Sequence, residues 1–87
     1  MRFADLKAGY AQHYDAKDPE TQTMLDLFEK ADNLSDAAKE EFVEAFNYQF
    51  ALAGKVYLGT KLNAAYKYPH LLTEAEAVGI RVETRDP

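Results

Sequence analysis

Two glycines five residues apart, Gly54 and Gly59 in GKVYLGTK (residues 54–61), raise the question of a phosphate site. A P-loop reads G-x-x-x-x-G-K-[ST], so that its backbone amides and the lysine directly after the second glycine meet the same phosphate. Here Thr60 precedes Lys61, and the last two positions are exchanged. Such a loop also follows a hydrophobic strand, whereas the preceding FNYQFALA reads as helix. The glycines are therefore read as places where a helix bends or is closely approached. They do not form a GxxxG contact either, because five residues turn a helix so that the two lie about 140° apart.

Lys55, Lys61 and Lys67 fall in an interval, Glu44 to Glu74, that contains no other charged residue. On one continuous helix a spacing of six turns each lysine about 240° from the last, so they cannot form a single stripe. Asp36, Glu40, Glu41 and Glu44 near the start of that helix and lysines near its end would suit the helix dipole. If the helix breaks instead, Tyr57, Lys61, Tyr66, Lys67, Tyr68 and His70 can gather on one surface, with rings to stack on bases and lysines to meet phosphates. The net charge of −5 opposes general nucleic-acid binding, which needs a basic face.

The remaining polar residues give no catalytic constellation. Helical nucleotide pyrophosphohydrolases hold Mg²⁺ with E-x-x-E followed by E-x-x-D; Glu41-x-x-Glu44 matches the first half, but Glu74 is followed three residues later by Ala77. His13 and His70 have no H-x-x-x-H or E-x-x-H neighbour of the kind helical metal sites use. Ser35 is the only serine, and a helix cap is its obvious use. With no cysteine, disulfides and thiolate sites are excluded. The expectation is a non-enzymatic chain without cofactor or metal.

The elements that would position these residues read as helices. Phe3, Leu6, Tyr10 and Tyr14 recur at three to four over residues 2–14. Asp18-Pro19 reads as an N-cap and first helical residue, and Met24, Leu25, Phe28 and Ala31 mark one face of 19–31. From Phe42 the apolar residues occupy most of the circumference, which predicts a buried central helix over 36–58. An extension to Tyr68, where Pro69 would stop it, would measure about 50 Å, so a bend near 54–60 is expected in that case. Thr73-Glu74-Ala75-Glu76 has the form of a capping box and predicts a short helix over 74–78 closed by Gly79. Residues 80–84 alternate weakly but lack a partner strand and are read as an extended tail.

The fold expected is thus all-α: a single helical domain over residues 1–87, with three main helices, a short C-terminal helix and an extended tail. Its 87 residues bury only roughly 60% of their unfolded surface. The start of the chain, MRFADLKAGY, has no long apolar run, and no window is long enough for a membrane span. A soluble, cytoplasmic protein is expected.

Eleven aromatic residues are more than such a core easily buries, and exposed rings are what partner surfaces use. The function expected is protein–protein interaction or regulation, with Phe46, Phe50, Tyr57, Lys61, Tyr66 and Tyr68 as candidate contacts. In a homodimer through the central helix, Phe46 and Phe50 would lie at the interface. The helices KDPETQTMLDLFEKA and EAFNYQFALAGK give a layout that resembles the small immunity proteins protecting bacteria from pediocin-like bacteriocins. That resemblance implies an immunity or inhibitor role, and the net charge of this chain would make the partner of its acidic surface a cationic toxin. A weak nucleic-acid or phosphate-binding module using the lysines and tyrosines of 55–70 is the third reading.

Overall fold

The computed structural model describes residues 2–13, 15, 17–48 and 51–85. Three helices open the chain: α1 (Phe3–His13), α2 (Pro19–Ala31) and α3 (Asp36–Tyr48). Asp18 is extended at the N-cap of α2, and Pro19 takes the first helical position, where its missing N–H leaves nothing unpaired. The helix buries Thr21, Met24, Leu27, Phe28 and Ala31. Ser35 opens α3, its hydroxyl oxygen accepting from the Ala38 N–H at 3.2 Å.

Beyond α3 the all-α expectation is overturned. α3 stops at Tyr48, and the chain forms a hairpin of β1 (Ala51–Leu52) and β2 (Lys55–Leu58). β3 (Arg81–Thr84) then lies parallel to β2, giving a mixed sheet in the order β1-β2-β3. The hairpin turns through Ala53 and Gly54, both with positive φ, +53° and +75°. Two such residues give the turn whose twist matches that of paired strands. Val56 and Leu58 are fully buried while Lys55 and Tyr57 are not, a period of two. A helix would have turned Val56 and Leu58 about 200° apart, leaving only one of them in the core. The strand buries both, and it supplies the partner that residues 81–84 lacked in the sequence reading.

The third helix is also not apolar all round. It buries Ala38, Phe42, Val43 and Ala45 and exposes Glu44, Asn47 and Tyr48. The proposed pairing of its charges with one long dipole falls with its length: Lys55 belongs to a strand, and the last turn of α3 has no basic residue.

Two short helices follow, α4 (Lys61–Lys67) and α5 (Pro69–Glu74), then a 3-10 turn over Glu76–Val78. Pro69 does not stop a helix but starts α5, and Tyr68, at φ −129° and ψ 49°, separates it from α4. The helix expected over 74–78 is replaced by the end of α5 and the 3-10 turn. Thr73 caps nothing; its hydroxyl donates to the Pro69 carbonyl at 2.8 Å. Gly79 closes the 3-10 turn in the left-handed conformation, φ +84°.

The first half of the core is a ring cluster. Phe28 and Phe42 meet edge-on at 5.7 Å, Phe42 stacks on Phe46 at 5.9 Å, and Tyr10 meets Phe46 at 5.3 Å. Phe3 closes the cluster against Phe28 and Phe42. Such contacts add to the area term at separations of about 4.5–7 Å. Leu27, Val56, Leu58, Ala64, Leu71 and Ile80 extend the same buried cluster beneath the sheet and α5. No helix among the described residues is long and apolar enough to cross a membrane.

Candidate protein-binding surface

α4 begins at Thr60, whose hydroxyl oxygen accepts from the Asn63 N–H at 3.1 Å. This is the use of the residue that spoils the P-loop pattern: it caps a helix. With seven residues, α4 is too short to bury a continuous stripe, and Ala64 is its only buried residue. Leu62 and Tyr66, one turn apart on the same face, are 79% and 84% exposed. Tyr48, at the C-terminal end of α3, is 76% exposed.

Tyr48, but neither Leu62 nor Tyr66, lines a groove beside α4. Tyr48, Gly59, Asn63, Lys67 and Tyr68 line a depression of about 150 Å³. Asn63 and Lys67 form one row of α4, and Leu62 and Tyr66 form the row beside it. At the floor, burial first, then the charge of Glu44, then Tyr48, push the Tyr68 phenol above its ordinary pKa. The phenol therefore stays neutral, a hydrogen-bonding group and not an anion. Lys61 and Lys67 stand exposed at the two ends of α4 with no ion pair among the described residues.

The other polar candidates serve the fold. Glu41 accepts from the N–H groups of His70 and Leu71 at 2.9 and 3.3 Å, and its second oxygen lies 2.6 Å from His70 Nδ1. One carboxylate thus satisfies the first turn of α5. At the other end of the same helix pair, Glu74 accepts from the Ser35 N–H at 2.8 Å and from its hydroxyl at 2.5 Å. The hydroxyl bond and then the amide bond lower the Glu74 pKa, against a smaller opposing effect of burial. Glu41 and Ser35 therefore fasten α3 to α5 from both ends.

The six residues singled out from the sequence do not share one surface. Phe46 is half-buried in the ring cluster. Phe50 lies outside the described residues. Tyr57 is half-buried on the outer face of the sheet, with the Arg85 guanidinium 4.2 Å from its ring centroid. Tyr68 is buried and lines only the groove floor. Lys61 and Tyr66 are exposed on α4. The break in the helix therefore does not gather the lysines and tyrosines of 55–70: Lys55 pairs with Glu83 at 2.9 Å, and His70 is held by Glu41.

Comparison of the chain with protein-family models, with curated proteins and with solved structures finds no significant match. The reading of function rests on the surface itself.

Sequence reasoning missed Tyr48, Leu62 and Asn63. The available signal was G-T-K-L-N, a cap followed by a helix that Pro69 bounds within seven or eight residues. A helix that short cannot bury Leu62, Ala64 and Tyr66 together, since they do not share a face.

Proposed function

We propose that this chain is a non-enzymatic interaction protein that binds another protein through Tyr48, Leu62 and Tyr66. The observation that carries the proposal is the high exposure of Leu62 and Tyr66 on one face of α4, a helix whose adjacent row, Asn63 and Lys67, lines a depression together with exposed Tyr48. Aromatic anchors beside a small depression are the usual centre of a protein contact, and a polar rim surrounds it. Lys61 and Lys67 supply that rim and favour a partner with carboxylates near its apolar anchor. The polar groups that chemistry would recruit are used as helix caps, which supports a binding role over catalysis. The absence of cysteine supports placing that role in the cytoplasm.

The test is capture from lysate of the cells that make the protein, using the wild type and a Leu62→Ser/Tyr66→Ser double variant. A protein held by the wild type and lost by the double variant is expected. Equal capture by both would overturn the assignment.

A second reading keeps the inhibitor role. Asp36, Glu40 and Glu44 lie four residues apart along an exposed stripe of α3. A cationic partner would lie along that stripe, and its binding would weaken with salt and with Glu40→Lys, neither of which the α4 reading requires.

A further inference from the structure

β3 is an edge strand with one neighbour. Its register, Arg81 opposite Lys55 and Glu83 opposite Tyr57, aims the backbone groups of residues 81, 83 and 85 at β2. The Arg81 and Arg85 amides donate to Gly54 and Leu58 accordingly. The N–H and C=O groups of Val82 and Thr84 point the other way, to the open edge, and no group of the described chain bonds them. An edge of this kind is a template for a further strand unless charge or shape blunts it.

The charges on this edge do not simply repel. Arg81, Glu83 and Arg85 alternate in sign along the outer face, while Val82 lies half-buried on the core side. Two copies of one strand meet antiparallel about a two-fold axis, and the residue on the axis decides what faces what. With Glu83 on the axis, Glu83 faces Glu83 and Arg81 faces Arg85, which places like charges opposite each other. With Val82 on the axis, each Arg81 faces the Glu83 of the other copy, the two Val82 side chains meet on the core side, and the Val82 amides and carbonyls exchange two hydrogen bonds.

We propose that β3 pairs antiparallel with β3 of a second copy in this register, joining the two sheets into one of six strands. The occupant is a second copy because the alternation of charge is complementary to itself. Two backbone bonds and two ion pairs make a small interface, so the dimer forms at concentrations on the order of 100 μM. This inference does not depend on the α4 surface.

The test is sedimentation or light scattering of the full chain across concentration, with circular dichroism and a urea midpoint for each variant. The mass should rise from 9.8 kDa toward twice that value. Arg81→Glu and Glu83→Arg should each weaken association by roughly tenfold or more, since symmetry breaks two pairs at once. The exchange Arg81→Glu/Glu83→Arg should restore it. Val82→Pro should abolish it with the fold retained, because that N–H takes no part in the ladder to β2. A mass of 9.8 kDa at every concentration up to about 1 mM would overturn the proposal. So would a dimer indifferent to both charge reversals, or one lost only in Leu62→Ser/Tyr66→Ser, which would place the second copy on α4.

Discussion

Phe46 and Tyr48 stand two residues apart on α3 and face different halves of the molecule. Phe46 stacks in a cluster with Tyr10, Phe28 and Phe42; Tyr48 projects into solvent beside α4. The α1–α2–α3 half packs five of the eleven aromatic side chains into one cluster and leaves Tyr48 outside it, at the end of α3. The half that follows position 50 changes direction often, and its elements are too short to do the same. Leu62 and Tyr66 on α4 remain outside as a result. The difference shows that the aromatic excess in the composition has two uses. It builds a core in one half and leaves a contact surface in the other.

Variants can break this comparison, and the largest effects fall in the first half. Phe42→Ala removes a fully buried ring that touches Phe3, Phe28 and Phe46. It should cost about 3–5 kcal/mol in urea unfolding, comparable to the whole stability of a domain this small. Phe46→Asp should act in the same way, so loss of any dimer in that variant would report unfolding and not an interface.

The hairpin gives an intermediate effect. A Cβ on Gly54 would meet only the end of the Lys30 side chain, at 3.5 Å, so the cost of Gly54→Val is conformational. At φ +75° it should be about 1–2 kcal/mol, read from the urea midpoint. Ala53→Gly relieves the same kind of strain at φ +53° and should raise the midpoint.

The α3–α5 fastening is expected to show in the pH dependence. The folded pKa of Glu74 lies below its ordinary value, so the stability it adds is present above the unfolded pKa. That stability is lost as pH falls through the lower, folded value. The difference in melting temperature between wild type and Glu74→Gln should therefore be constant near neutrality and vanish in acid. A difference that grows in acid would contradict the assignment.

The smallest effect on stability should come from the surface. Leu62→Ser/Tyr66→Ser should change the free energy of urea unfolding by less than about 0.5 kcal/mol per site while removing capture of the partner. If the pair instead destabilises like a core variant, α4 is not a free surface.

The legible part of the fold was the part with local signals. Asp18-Pro19 marks the start of α2, and Ser35 marks the start of α3. The hairpin carried no such mark, because Ala-Gly is not among the dipeptides that announce a two-residue turn. An unbroken apolar run over 50–54 also hid the change of period. The alternation of residues 80–84 was visible but could not be used. A strand exists only with its partner, and β2 lies 26 positions back in sequence, in a stretch read as helix. The candidate surface shared that fate: Tyr66 and Lys61 were visible as residue types, but their exposure follows from the shortness of α4. In the sequence Glu41 matches half of a metal motif, and its caps on His70 and Leu71 depend on a helix that starts at Pro69 and not at 74.

The most direct measurement is site-specific photocrosslinking in cells. A photoreactive phenylalanine analogue is placed at position 62, at position 66, and at exposed Gln12 on α1 as a control. The account predicts one heavier adduct, the same from 62 and 66, absent from 12, and identified by mass spectrometry as a second protein. No adduct from 62 or 66, or the same adducts from all three positions, would contradict it.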